Sequence, residues 1–117
     1  MRNILFIMTG GILFLASCMP QTTLYNWGKY QEASYSYVKN NTDKDLEALL
    51  KEYQYMVDNQ KGGKKTVPPG IYADYGYMLI QQGKVKEGLE LMKLEMALYP
   101  ESSVFIEGII KRLEQNE

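Results

Sequence analysis

Cys18 is the single cysteine among 117 residues, and its neighbours decide what its sulfur can do. It follows Leu15, Ala16 and Ser17, behind an Ile4 to Leu15 stretch that is apolar except for Thr9 and broken midway by Gly10 and Gly11. Arg2 puts a positive charge ahead of that stretch. About 12 apolar residues, at roughly 1.5 Å rise each, are too few to cross a hydrocarbon core as a helix but suit the h-region of a signal peptide. Small side chains at Ala16 and Ser17 let the chain enter a narrow peptidase cleft. The run Leu15-Ala16-Ser17-Cys18 therefore reads as a bacterial lipobox. The Cys18 sulfur would take a diacylglyceryl group before cleavage, and in many Gram-negative bacteria the freed amine takes a third chain such as palmitate. The competing readings are a plain secretory signal with a chance cysteine, or a short membrane anchor. Two or more acyl chains, at about 0.8 kcal/mol per buried methylene, hold a protein stably on a membrane without help from its folded part. Met19 stands where an aspartate would resemble an inner-membrane retention signal, which directs the expectation to the periplasmic face of the outer membrane.

Other reactive chemistry is scarce. The chain has no histidine, which removes the commonest general base and the commonest metal ligand. One cysteine makes neither an intramolecular disulfide nor a thiolate cluster. No catalytic set is complete, so the reading is that of a protein that is not an enzyme and uses no cofactor or metal. A net charge of -1 provides no pull toward nucleic acid. Gly63-Lys64-Lys65-Thr66 superficially suggests a phosphate loop, but Asp58 occupies the first glycine position and Lys65 stands where a hydroxyl should be. Glu95 and Glu101 could form an acid pair, yet Pro100 between them prevents a fixed common face. Glu95 is expected instead to satisfy the backbone of the Pro68-Pro69-Gly70 turn, because a buried carboxylate persists only when it is paired.

Tyrosine is the compositional oddity, with 10 residues. Tyr35 and Tyr37, Tyr53 and Tyr55, and Tyr75 and Tyr77 are each two apart, about 200° on a helix, so one of each pair can be buried while the other faces outward. Tyr30, Tyr53 and Tyr75 are read as core. Tyr35, Tyr55 and Tyr77 are left as either filler or an aromatic surface for a protein or glycan. Trp27 either docks a partner near the membrane or, the preferred reading, staples the start of the first helix against the bundle.

The elements that hold these residues follow from periodicity and punctuation. Tyr30, Ala33, Tyr37 and Val38 mark a helix over Lys29 to Lys39, stopped at Asn40-Asn41. Thr42 caps a second, with Leu46, Leu49, Leu50, Tyr53 and Val57 on one stripe. Gln60 to Val67 is a solvated loop. Pro68-Pro69-Gly70 opens a third helix to about Gln82, and Gly83 ends it. The fourth covers Lys84 to Tyr99, burying Val85, Leu89, Met92 and Met96, with Pro100 as its stop. Ser102 or Ser103 caps a fifth, with Phe105, Ile109, Ile110 and Leu113 on one face. The expected fold is all-α.

Tyr72, Gly76 beside Tyr75, the turn at Gly83, Gly88 and Pro100 resemble a tetratricopeptide unit, in which small residues let two antiparallel helices approach closely. Glu95 departs from it, standing where alanine is usual. Gly28-Lys29-Tyr30 with Ala33 and Tyr37 resembles the second half of another unit lacking its first helix, giving an array of about one and a half units and a capping helix. A closer resemblance covers nearly the whole mature chain. Tyr25-Asn26-Trp27-Gly28-Lys29-Tyr30, Pro68-Pro69-Gly70 with Ala73, and Glu95 with Leu98-Tyr99-Pro100-Glu101-Ser102 are similar to a family of small bacterial lipoproteins described only as a domain of unknown function. That resemblance implies neighbours in the envelope, one of them similar to the curli-secretion pore lipoprotein. The expected organisation is a signal peptide at 1–17, a tether at 18–24 and a short tetratricopeptide-like domain at 25–117. The expected function is a lipid-anchored envelope scaffold or adaptor, with a peptidoglycan-binding module or cell-wall enzyme accessory as the alternative. In helical repeats the binding surface is usually the concave side lined by first helices, here Ile71 to Gln82, which nominates Tyr77 and Asp74, with Trp27 as a further contact.

Overall fold

The computed structural model describes residues 22–115, so the signal peptide and Cys18 lie outside the described residues. Five α-helices follow in order: α1 (Tyr30–Asn40), α2 (Asp43–Asp58), α3 (Ile71–Gln81), α4 (Val85–Leu98) and α5 (Ser103–Glu114). A 3-10 turn over Pro100–Ser102 joins the last two, and no strand occurs among the described residues. The fold is all-α.

Each helix boundary has a local cause. Asn41 adopts a left-handed conformation (φ 50°) and its N–H closes on the Tyr37 carbonyl at 2.8 Å, ending α1. Thr42 then starts α2, its hydroxyl accepting the Asp45 N–H at 3.2 Å. The Asp45 carboxylate is shared by Ser36 of α1 at 2.6 Å and Thr42 at 2.5 Å, and these two hydroxyls hold it below its ordinary pKa. A connection this short forces α1 and α2 into an antiparallel hairpin. At the other hairpin, Gly83 (φ 80°) donates to Ile80 and Lys84 donates to Leu79, both at 2.9 Å, the paired bonds of a Schellman motif.

The two hairpins pack by different means. Between α3 and α4, Gly76 and Gly88 face each other; a Cβ on Gly76 would lie 2.5 Å from the Gly88 carbonyl oxygen. Only glycines allow that approach. Between the hairpins the contact is aromatic. Tyr53 of α2 stacks on Tyr75 of α3 at 5.4 Å, and the Tyr75 hydroxyl donates to Gln54 at 2.9 Å. Leu49, Tyr53, Met56, Val67 and Ile71 form the buried centre, with Ala33 sealing it from α1. Burial raises the Tyr53 hydroxyl pKa well above its ordinary value. Met92 and Ile106 close the far end, where α5 packs on α4.

Five expectations need correction. Residues 28–37 are not the second half of an incomplete unit: α1 pairs with α2, so the fold holds two whole hairpins and a terminal helix. Thr23 and Leu24 are not free tether, because their carbonyls accept the Gly63 and Lys64 N–H groups at 3.0 and 2.9 Å. The same bonds mean that the 60–67 loop is docked rather than merely solvated. Val38 is 81% exposed rather than buried with Ala33, because its side of α1 faces away from α2. Phe105 is also turned away from the core; Ile106 is the buried residue, and its spacing to Ile110 and Leu113 defines the inward face of α5.

Candidate functional site: a groove between the odd-numbered helices

Five aromatic rings connect the N-terminal corner to the second hairpin. Tyr25 meets Trp27 edge-on at 6.5 Å, Trp27 lies 5.8 Å from Tyr30, Tyr30 5.5 Å from Tyr53, and Tyr53 stacks on Tyr75. Such contacts stabilise by about 0.5–1.5 kcal/mol each beyond area burial. The chain of rings fixes α1 against α2 and α2 against α3, and thereby sets the spacing between α1 and α3 on the opposite side.

That spacing leaves a groove. One part, about 480 Å³, lies between α3 and α5 and is lined by Ala73, Asp74, Tyr77, Phe105, Ile109, Arg112 and Leu113. Asp74 and Tyr77 also line a continuation toward α1, where Tyr37 and Val38 form the wall. A third branch runs from Asp74 and Phe105 to Pro69, Glu101 and Ser102. Asp74 stands where all three meet.

The electrostatics of that position are unusual for this fold. Asp74 is exposed as a residue, yet its carboxyl sits among apolar groups, and loss of hydration raises its pKa. Among the described residues no hydrogen bond or ion pair to its carboxylate is made. Tyr77 is 43% exposed and Phe105 69% exposed beside it. An apolar trough with one carboxylate that has no protein partner and two accessible rings can hold an apolar segment and take a donor or cation from it.

Of the residues nominated from sequence, Asp74 and Tyr77 come together in the groove. Trp27 does not line it; its ring packs at a tilt against Tyr30, a residue that does. Tyr55 lines a separate polar cleft near the N-terminal segment, and Tyr35 lies on the outer surface with Lys39 over its ring at 5.9 Å. The sequence puts Phe105 on one face with Ile109, Ile110 and Leu113, a set of which Phe105, Ile109 and Leu113 share the groove wall, and singles out nothing at Arg112. Phe105 betrays itself only through the helix register, and nothing local marks Arg112. Glu95 meets its expectation: it is 1% exposed, and its two oxygens accept the Gly70 and Tyr72 N–H groups at 2.6 and 3.1 Å.

Two antiparallel helical hairpins and a terminal helix, with a groove lined by α1, α3 and α5, define a small all-α helical-hairpin domain. The chain belongs to the family described as Domain of unknown function (DUF4810), which matches residues 24–109. The match begins at Leu24, the second of the two residues whose carbonyls bond the 60–67 loop, and ends inside α5. No curated protein and no solved structure matches the chain.

Proposed function

We propose that this protein is a lipid-anchored scaffold of the cell envelope, held by acyl chains on Cys18 at the periplasmic face of the outer membrane. Its groove between α1, α3 and α5 receives a segment of another envelope protein. The observation that carries this reading is the convergence, in one apolar trough, of an unpaired Asp74 carboxylate with the accessible rings of Tyr77 and Phe105. Aromatic rings over an apolar floor are typical of interface hot spots. A carboxylate unpaired in the fold adds specificity when a partner's donor or cation satisfies it. The lipoprotein similar to the curli-secretion pore is the first partner to test.

The experiment is capture from detergent-solubilised membranes with the double change Tyr77→Ala, Asp74→Ala. Capture should weaken by about tenfold or more, about 1.4 kcal/mol, at a melting temperature no lower than the parent's. Full capture with the fold intact removes the groove from consideration. Co-sedimentation with purified peptidoglycan, lost in the same variant, would replace the protein partner by cell-wall glycan.

A further inference from the structure

We infer that the corner built by the N-terminal segment and the Lys61 to Lys65 loop is a membrane-facing surface that binds anionic phospholipid headgroups. The inference rests on the lipid-anchor part of the proposal above, and it concerns a face distinct from the groove.

The first argument is tethering. Gly63 and Lys64 donate to the carbonyls of Thr23 and Leu24, and the Asn26 side chain donates to the Asn59 carbonyl at 2.7 Å. A side chain at Gly62 would collide with the Leu24 backbone, so this glycine allows the loop to lie against the incoming chain. Residues 18 and 23 are separated by a chain that spans at most roughly 18 Å fully extended. An acylated Cys18 therefore keeps the loop near the headgroups whichever way the domain turns.

The second argument is charge. Residues 22–31 and 59–67, which build the corner, contain Lys29, Lys61, Lys64 and Lys65 and no Asp or Glu. The one carboxylate bonded to them among the described residues is that of Glu52 in α2, which accepts the Lys29 N–H at 2.9 Å and leaves the corner net positive. The whole chain carries -1, so the remainder is net acidic and is repelled by the surface that attracts the corner. The three loop lysines form no salt bridge among the described residues. Attraction to an anionic leaflet fades within about 8 Å at physiological salt, so a weakly charged domain needs the anchor to bring it into range.

The third is shape. A polar cleft of about 550 Å³ opens between the two segments, lined by Thr22, Thr23, Asn26, Tyr55, Lys61 and Lys65. Hydroxyl, amide and ammonium donors suit a phosphodiester. Lys65 is held there in a left-handed conformation (φ 50°) by the turn that its N–H closes on Gly62 at 2.9 Å. A non-glycine residue rarely adopts that conformation.

Trp27, the sole tryptophan and 42% exposed, belongs to the same segment and supplies a built-in probe. The purified full-length processed protein is reconstituted into neutral phosphatidylcholine vesicles or into vesicles with about a quarter phosphatidylglycerol, and energy transfer from Trp27 to a dansyl headgroup is read. Transfer should rise in the anionic vesicles and fall back in about 0.5 M NaCl. It should also fall back in the triple variant Lys61→Gln, Lys64→Gln, Lys65→Gln, since each lysine shifts the docked population about fivefold. Circular dichroism checks that this variant, altered only at exposed positions, is folded. Equal transfer in both vesicle types, or an unchanged triple variant, overturns the inference. So does loss of transfer in inorganic phosphate but not in NaCl of equal ionic strength, which would assign the cleft to a free anion. Intact mass distinguishes the two readings: an acylated protein with equal transfer sinks the corner alone, and an unacylated one sinks corner and anchor together.

Discussion

Replacing Glu95 with glutamine tests the contact that joins the two helices of the second hairpin at their open end. The side chain is 1% exposed, makes no ion pair among the described residues, and gives both oxygens to the first turn of α3. The first four N–H groups of a helix have no partner within it, so α4 caps α3 from the side. Glutamine keeps the shape but offers one oxygen; its amide nitrogen must face either the Gly70 or the Tyr72 N–H. One charge-assisted hydrogen bond is lost, about 1.5–3 kcal/mol, and one buried donor is left unsatisfied at about 1–3 kcal/mol. Loss of the negative charge at the helix start costs up to about 1 kcal/mol more. The neutral amide is cheaper to desolvate than a carboxylate, which offsets part of this. The net expectation is a destabilisation of about 2–4 kcal/mol, a large share of the roughly 5–15 kcal/mol that holds a small domain together. With a urea dependence of about 1–1.5 kcal/mol per molar, the midpoint of helix loss followed by circular dichroism should drop by roughly 1.3–4 M. Glu101→Gln, exposed one turn later, is the control and should leave the midpoint in place. A Glu95→Gln midpoint within about 0.3 M of the parent would refute the capping argument, because it would mean that the two backbone donors find water or other partners at no cost.

Gly76→Leu should destabilise by about 1–3 kcal/mol in the same urea assay, because even the first added carbon meets the Gly88 carbonyl; an unchanged midpoint would mean that α3 and α4 separate freely at this crossing. Asp74→Asn should raise the melting temperature at neutral pH. Burial raises the folded-state pKa of Asp74, so the native protein binds more protons than the unfolded one, and stability falls as pH rises from the ordinary carboxylate value through the folded value. The asparagine variant escapes that loss, so its advantage should be present above the folded pKa and vanish below about pH 3.8. A melting temperature that runs parallel to the parent at every pH would mean that the Asp74 carboxyl is fully hydrated.

Much of this architecture is legible along the chain because its causes are short-range. Thr42 with Asp45, Gly83, and the Pro68-Pro69-Gly70 turn punctuate the helices through bonds spanning a few residues, and the observed boundaries fall within a residue or so of those expected. Glu95 was readable over a longer distance for a different reason. A carboxylate inside an apolar stripe must be satisfied, and a proline-glycine turn that opens a helix has donors to spare.

What escaped the sequence depends on how helices turn toward one another. Phe105 and Ile106 are adjacent and both apolar, and a register shift of about 100° between neighbouring helical positions decides which is core and which lies on the groove wall. The pairing of α1 with α2, rather than with a missing helix, follows from the two residues between them and the shared Asp45 carboxylate. Docking of Thr23 and Leu24 onto Gly63 and Lys64 uses backbone groups alone, which no side-chain pattern announces. The groove draws on α1, α3 and α5, which are not consecutive in the chain. Helices, caps and buried charges were therefore written in local patterns of three and four residues. The trough around Asp74 came into being only when packing set the angles and separations between residues 30–40 apart.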